Sequence, residues 1–235
     1  MHLKRKEKLD ITVVMPCLNE VRTVGICVDE AKRFMEQKGL KGEVIVVDNG
    51  SSDGSDEEAK RHGAIVVYET RKGYGSAIRK GLRNVSGRVA VIGDADTTYD
   101  FYHLEGFYRP IAEGNCDMVI GNRFARTMEK GAMPLSHRLG VRFLSACGRL
   151  AFHTDVYDFH CGLRSISREA LETSVYGTIG MEFATEMIAN ASKNGLKVKQ
   201  IPTTLSVCRQ KRRSKLKTIR DGMRHLGYIV HNRIR

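Results

Sequence analysis

The amino-acid sequence predicts an α/β fold, with a mostly parallel sheet flanked by helices. Short apolar runs rich in β-branched residues alternate with segments of helical periodicity, the pattern that βαβ units produce. Polar or glycine-rich clusters directly follow four successive apolar runs, where the strands of an open parallel sheet end and ligands bind. A chain of 235 residues, of which 41% are hydrophobic, is long enough to bury the core of such a fold.

The predicted elements follow one another in a regular order. Strands are predicted at residues 11–15, 44–48, 65–68, 89–93 and 118–121, with a late strand at 197–205. Helices are predicted at residues 21–38, 56–62, 75–85, 101–113, 138–152 and 182–194. The first helix shows the spacing of three and four between apolar residues that an amphipathic helix needs. Residues 121–131 are expected to form a long, mobile loop.

Two aspartates, Asp94 and Asp96, end the apolar run 89–93. Side chains alternate faces along an extended segment, so both carboxylates should project to the same side. They repel each other, and a divalent metal such as Mg²⁺ or Mn²⁺, bound through their oxygens, would remove that conflict. Such a metal is typically shared with nucleotide phosphates. The alternative is that two aspartates merely end a strand in solvent.

The net charge of +12 is concentrated at the C-terminus. Residues 209–235 contain ten Lys or Arg and a single acidic residue, Asp221, a balance of +9. We therefore predict a main domain at 1–208, followed at 209–235 by a basic loop and an amphipathic helix. The apolar positions of that helix lie three or four residues apart, at Leu216, Ile219, Met223, Leu226 and Val230. The helix would either contact anionic lipid headgroups or pack its apolar stripe on the protein and leave a solvated basic face.

Several classes of protein do not fit the composition. The six scattered cysteines form no Cys-x-x-Cys pair, which favours reduced thiols in the cytosol over a zinc site. No apolar run approaches the ~20 residues of a transmembrane helix, and residues 11–15 are too short for a signal peptide. A nucleic-acid-binding tail would carry stacking aromatics, but residues 209–235 hold only Tyr228. No Gly-x-Gly-x-x-Gly or glycine-rich Arg loop follows the first strand, which argues against a dehydrogenase or a nucleotidyltransferase.

The strand-end motifs together resemble glycosyltransferase family 2. They are Pro-x-x-Asn-Glu at 16–20, Val-Val-Asp-Asn-Gly-Ser-Ser-Asp-Gly at 46–54, Lys-Gly-x-Gly at 72–75 and Asp-Ala-Asp at 94–96. The later segments 121–124, 131–134, 160–164, 180–183 and 214–216 resemble the branch of dolichyl- and polyprenyl-phosphate mannosyl- and glucosyltransferases. The resemblance covers about residues 11–226 and implies a nucleotide-sugar-binding GT-A fold.

The resemblance implies an inverting, metal-dependent transfer of mannose or glucose from GDP-mannose or UDP-glucose to polyprenyl or dolichyl phosphate. It assigns nucleotide-sugar binding to Pro16, Asn19, Glu20, Asp48, Asn49, Lys72, Gly73, Asp94 and Ala95. It assigns the metal, Mg²⁺ or Mn²⁺, to Asp94 and Asp96, and catalysis to Asp96, Arg209 and Lys215. The glycines at 73 and 75 would let the backbone approach the nucleotide.

A lipid phosphate acceptor needs cations, which the resemblance places at Arg123, Arg138 and Arg142, with Ser214 beside them. Its oxygen is already ionised near pH 7, so no strong general base is required. Asp158 and Glu182 would orient the acceptor side or form a buried ion pair with Arg164. His160 and Cys161 are expected to belong to the core.

Simpler structural roles compete at three positions. Asn19 would serve as a helix cap, Glu20 as an acid at a helix start, and Asp53 as a residue that shapes its turn. Two other functions also stay open: a family 2 enzyme with a polysaccharide acceptor, and a nucleotide-sugar-binding subunit without turnover. The expected setting is the cytosolic face of a membrane with an anionic surface, with or without a membrane subunit as partner and without nucleic acid.

Overall fold

The computed structural model describes residues 9–126, 128–208 and 218–233. Its seven strands are β1 (Leu9–Cys17), β2 (Gly42–Asp48), β3 (Ile65–Tyr68), β4 (Gly87–Ile92), β5 (Met118–Asn122), β6 (Arg164–Ser167) and β7 (Val198–Pro202). Its helices are α1 (Val24–Gln37), α2 (Ser55–Arg61), α3 (Tyr74–Leu82), α4 (Glu105–Ala112), α5 (Leu135–Phe152), α6 (Arg168–Thr173), α7 (Phe183–Lys193) and α8 (Thr218–Asn232).

The strands form one sheet in the order β3-β2-β1-β4-β6-β5-β7. All pairs are parallel except those of β6, which runs antiparallel between β4 and β5. The predicted α/β fold with a mostly parallel sheet is therefore confirmed. Strands β1 to β4 run in the same direction, so the four polar clusters that follow them meet at one edge of the sheet.

Two apolar clusters cover the two faces of the sheet. Alternate residues of β1 separate accordingly, with Val13 and Met15 in one cluster and Val14 in the other. Helix α1 packs its apolar face into the first cluster and α3 packs into the second, while α7 contributes residues to both. This alternation follows from the period of two along a strand.

The prediction missed β6 and α6, and several predicted boundaries differ from the observed ones. The strand β6 contains four residues and begins with an arginine, so its sequence is too short and too polar to show a periodic pattern. The helix predicted at 101–113 begins only at Glu105, and the helix predicted at 138–152 already begins at Leu135.

The C-terminal helix α8 packs against α5 and α7. Its buried positions are Asp221, His225 and Ile229, whereas Ile219, Met223 and Val230 are 84%, 64% and 58% exposed. The predicted amphipathic helix therefore exists, but most of its apolar stripe faces away from the protein. Leu216 lies outside the described residues. Of the helices in residues 9–126, 128–208 and 218–233, none is long and apolar enough to cross a bilayer.

Candidate active site

The loops after β1 and β2 are joined by hydrogen bonds at the carboxyl edge of the sheet. The Asn19 amide oxygen accepts the N–H of Ser52 at 2.9 Å, and the Asn19 N–H donates to the Ser51 hydroxyl at 2.9 Å. Asn19 has a φ of 54°, a left-handed conformation that asparagine tolerates. Thr23 precedes α1, so the alternative role of Asn19 as the helix cap is wrong. Glu20 is buried and lies four residues before the start of α1, so it is not part of the first turn of that helix.

Asp48 and Asp53 organise the turn after β2. The buried Asp48 carboxylate accepts the N–H groups of Gly50 and Ser51 at 3.0 and 3.1 Å. Asp53 accepts the N–H of Val21 at 3.1 Å and both the N–H and the hydroxyl of Ser55. Despite partial burial, these hydrogen bonds lower the pKa of Asp53. Asp53 thus shapes the turn, as the sequence predicts.

Asn49 and Lys72 connect the ends of β2 and β3. The Asn49 amide donates to the carbonyls of Glu69 and Arg71 at 2.8 and 3.0 Å, and its oxygen accepts the N–H of Gly73 at 2.8 Å. The Lys72 ammonium donates to the carbonyl of Asn49 at 2.9 Å. Asn49 and Lys72, both predicted to bind the nucleotide, are therefore in contact, and their hydrogen bonds join the loop after β2 to the loop after β3.

The glycines at the start of α3 make room for protein backbone. A Cβ on Gly73, whose φ is 141°, would lie 2.2 Å from the carbonyl oxygen of Ile179. A Cβ on Gly75 would lie 2.8 Å from the carbonyl oxygen of Thr178. The two glycines therefore also allow the loop at 178–180 to approach the start of α3 closely.

Asp94 and Asp96 follow β4, and their carboxylates are close enough to interact electrostatically. Burial and the neighbouring Asp96 charge raise the pKa of Asp94 to about 7, against a hydrogen bond from the Tyr74 hydroxyl. Asp96 accepts the N–H and the hydroxyl of Thr98 at 3.1 and 2.6 Å. Gly162 lies against this pair, since a Cβ there would be 2.5 Å from an Asp94 oxygen.

These two carboxylates suit a hard divalent cation. Burial is the main cause of the raised pKa of Asp94 and the charge of Asp96 adds to it, and a bound cation relieves both effects. In the described part of the chain, no group of three or more His, Cys, Asp or Glu side chains is arranged to hold a metal. A metal bound here would accordingly take the remaining oxygens from nucleotide phosphates and water, as Mg²⁺ commonly does.

The side of the site beyond β5 is organised by a buried ion pair. Arg123 Nε and Nη2 donate to the two oxygens of Asp158 at 2.7 and 2.8 Å, with side chains 7% and 0% exposed. Arg164 instead donates to backbone carbonyls, including that of Ala184 at 3.0 Å. The predicted pairing of Asp158 or Glu182 with Arg164 is therefore wrong, because other arginines pair with both carboxylates.

Two further residues predicted to bind the acceptor phosphate, Arg138 and Arg142, lie on α5. Arg138 and Arg142 are exposed, and the Arg142 guanidinium lies 4.9 Å from the centre of the Phe124 ring. Arg209, Ser214 and Lys215 lie outside the described residues. The chain that leads to them passes the aspartate pair, since the Ser206 N–H donates to the Thr98 carbonyl at 3.0 Å.

Sequence reasoning missed a buried polar cluster behind the site. His160 Nε2 lies 3.1 Å from His225 Nδ1, and the Thr185 hydroxyl lies 2.8 Å from the same His225 atom. Burial, reinforced by the neighbouring histidine, lowers the pKa of His160 well below its usual value. His160 and His225 are 65 residues apart in the chain, so no local pattern could have paired them.

A mostly parallel sheet with paired carboxylates at its carboxyl edge is the arrangement of the GT-A glycosyltransferases. Residues 12–174 match the model of the family described as glycosyl transferase family 2. The chain belongs to that family.

Similar proteins come from an archaeon and a bacterium. The Haloferax volcanii low-salt glycan biosynthesis hexosyltransferase Agl6 is 35% identical over 94% of this chain and 53% of its own length. The chain thus spans about half of that relative. A dolichyl-phosphate hexose transferase from the same organism is 28% identical, over 82% of this chain and 81% of its own. The solved glucosyl-3-phosphoglycerate synthase of Mycobacterium tuberculosis, with Mn²⁺ and UDP-glucose, has a TM-score of 0.73 at 25% identity, covering 94% of this chain and 78% of its own.

Proposed function

We propose that this chain transfers a hexose, with inversion, from GDP-mannose or UDP-glucose to a polyprenyl or dolichyl phosphate. The observation that carries the proposal is the Asp94–Asp96 pair, which lies at the sheet edge where the four motifs that resemble those of family 2 enzymes meet. The solved relative with Mn²⁺ and UDP-glucose supports a metal-bound nucleotide sugar. The dolichyl-phosphate hexose transferase among the relatives supports a lipid acceptor.

The donor side is formed by the loops after β1 to β4. The residues proposed to contact the nucleotide sugar are Pro16, Asn19, Glu20, Asp48, Asn49, Lys72, Gly73, Asp94 and Ala95. Asp48 and Asn49 are buried and their loop is cross-linked by hydrogen bonds, so the surface offered to a base or ribose is preorganised. The metal held by Asp94 and Asp96 would supply charge neutralisation of the diphosphate leaving group. Arg209 and Lys215, on the chain that continues past Thr98, would close over that diphosphate.

The acceptor oxygen attacks the anomeric carbon while the bond to the diphosphate breaks. A phosphate monoester is largely ionised at pH 7, because its second pKa is about 6, so it needs no proton acceptor. The two carboxylates nearest to this role are already engaged. Asp158 is paired with Arg123, and Glu182 has a pKa that burial raises but that a hydrogen bond from Arg224 lowers overall. This supports a phosphate acceptor over a hydroxyl acceptor, which requires a base.

Cations near α5 would receive the acceptor phosphate. Arg138 and Arg142 are exposed, whereas Arg123, directly after β5, already donates from Nε and Nη2 to Asp158. Arginine binds phosphate oxygens in a bidentate manner, which suits this role. Ser214 would join them from the segment at 209–217.

A membrane surface is the proposed location of the reaction, at its cytosolic face. Large apolar side chains are exposed on the neighbouring helices α5 and α8: Leu135, Leu139, Phe143, Ile219, Met223 and Val230. The basic segment 209–217 directly precedes α8, and cationic residues beside an apolar helical face favour anionic lipid headgroups.

A transfer assay tests the proposal. Purified protein, Mn²⁺ or Mg²⁺, a short-chain polyprenyl phosphate and a panel of radiolabelled nucleotide sugars are combined, with Asp96→Asn as the matched control. A lipid-extractable product from one donor, absent with the control, is the expected result. Donor hydrolysis without lipid product would indicate a different acceptor, such as a polysaccharide. Nucleotide binding without any turnover, with or without a membrane subunit added, would indicate a non-catalytic subunit.

A further inference from the structure

The loop at 177–181 holds the start of α3 in place. The N–H groups of Gly75 and Ser76 donate to the carbonyls of Gly180 and Ile179 at 3.2 and 3.1 Å. Neither Gly73 nor Gly75 has room for a side chain against this loop. The position of the loop therefore determines the position of the Lys72–Ser76 segment, which the proposed function places on the donor side.

Two buried carboxylates at the start of α7 in turn hold the loop. Glu186 accepts the N–H groups of Gly177 and Thr178 at 2.7 and 3.0 Å, and Glu182 accepts the N–H of Gly180 at 3.2 Å. Both side chains are buried. A buried carboxylate is stable only when charge or several donors compensate it.

The charge of Glu182 is compensated from α8. Arg224 Nη2 donates to Glu182 Oε1 at 2.5 Å. The guanidinium also packs directly on the loop, since a Cβ on Gly180 would lie 2.7 Å from Arg224 Cζ. The neighbouring His225 fixes the rotation of α8 through its contacts with Thr185 and His160.

We propose that Arg224 is a positioning residue for the donor site, acting through Glu182 and Gly180 on the backbone of Gly75 and Ser76. The inference rests on the proposed function only in naming the donor as the ligand affected. The guanidinium keeps Glu182 ionised in place, and Glu182 keeps the loop against α3. The helix α8 thereby belongs to the donor site, although it follows the basic segment at the C-terminal end of the chain.

The test compares Arg224→Ala and Arg224→Lys with Arg220→Ala, which removes an exposed arginine from the same helix. Affinity for UDP and GDP with Mn²⁺ is measured by calorimetry, and amide exchange at Gly75 and Ser76 by hydrogen–deuterium exchange on the full chain without ligand. Arg224→Ala should lower the affinity for the nucleotide that the wild type binds, by at most about 100-fold, because the transmitted effect cannot exceed the free energy of the lost hydrogen bond to a charged group. It should also accelerate exchange at both amides.

Arg224→Lys should fall between the wild type and Arg224→Ala, and Arg220→Ala should match the wild type. Adding Glu182→Gln to Arg224→Ala should restore part of the affinity, because no uncompensated buried charge remains. In the transfer assay the donor KM should rise while the acceptor KM stays constant.

Unchanged exchange at Gly75 and Ser76 in Arg224→Ala would overturn the inference, whatever the activity of the wild type. If Arg224→Ala does not fold, Arg224→Lys decides by the same readout. Accelerated exchange in a protein that transfers no hexose to lipid would refute the proposed acceptor and leave the positioning role standing.

Discussion

The ion pair between Arg123 and Asp158 allows a quantitative prediction. Asp158 is fully buried and also accepts the backbone N–H groups of Arg123 and His160 at 3.1 and 3.2 Å. In Asp158→Asn the shape of the side chain is kept, but a buried guanidinium loses its counter-charge. Breaking a buried pair from one side costs about 3–5 kcal/mol, a large part of the about 5–15 kcal/mol that stabilises a typical domain.

For a domain of this size each kcal/mol lowers the melting temperature by about 2–4 °C, so we expect a decrease of about 6–20 °C. Thermal melts and urea denaturation followed by circular dichroism measure it. The control is Glu172→Gln, which removes an ion pair to Arg168 at 3.0 Å whose side chains are 45% and 65% exposed. Exposed pairs contribute little, so the control should melt with the wild type. If Asp158→Asn melts within about 3 °C of the wild type, the pair does not stabilise the fold as argued.

Four further outcomes are expected. Asp96→Asn should abolish metal-dependent turnover with an unchanged circular dichroism spectrum, because it removes one of two charges that would hold the metal. Gly75→Ala should cost about 1–3 kcal/mol in urea denaturation, since its methyl group meets the backbone of the 178–180 loop. Burial lowers the pKa of His225 from 6.5 to about 4, so the folded state binds fewer protons than the unfolded chain. Stability should therefore fall as the pH drops from about 6.5 to 4, and less so in His225→Gln, as melts across that range would reveal. The double variant Ile219→Ser, Met223→Ser should bind anionic vesicles more weakly in co-sedimentation, and equal binding would remove α8 from the contact.

The features that could be predicted from the sequence are those with a local pattern. An apolar run followed by polar residues marks a strand end, and four such ends in succession require a common sheet edge. The placement of Asp48 and Asp94 at that edge follows from this rule alone. The nearness of Asp94 and Asp96 could also be predicted from their spacing of two, although the chain turns at residues 95 and 96 and does not continue as the extended segment that the prediction assumed.

The features that could not be predicted depend on chain segments that are far apart. Arg123 and Asp158 are separated by 35 residues, and Glu182 and Arg224 by 42. The sequence offered several arginines for each carboxylate, and only the packing of the helices selects among them. Gly75 is a further example. A glycine at this position predicts a close approach of backbone, but the loop that approaches it, at 178–180, lies about a hundred residues further along the chain.

The orientation of α8 is set by two competing effects, the burial of its apolar stripe and the compensation of a buried charge. Periodicity alone predicts that an apolar stripe is buried, yet α8 turns Asp221, Arg224 and His225 toward the protein. The surface of the protein that α8 packs on explains this orientation, because without Arg224 the buried Glu182 would have the Gly180 N–H but no counter-charge, a penalty of several kcal/mol. Burying a large apolar side chain contributes about 1.5–3 kcal/mol. The free energy gained by pairing Arg224 with Glu182 can therefore exceed what burying one or two apolar side chains of α8 would contribute.

The exposed apolar side chains of α8 then remain available for contact with a membrane. If a membrane covers it, the same helix that pairs with Glu182 on its inner face gains free energy on its outer face. If contact with the membrane also stabilises the position of α8 in which Arg224 pairs with Glu182, membrane binding and nucleotide binding strengthen each other by the same factor. Anionic vesicles should accordingly strengthen nucleotide binding in the wild type, and should fail to do so in Arg224→Ala, where the inner contact is missing.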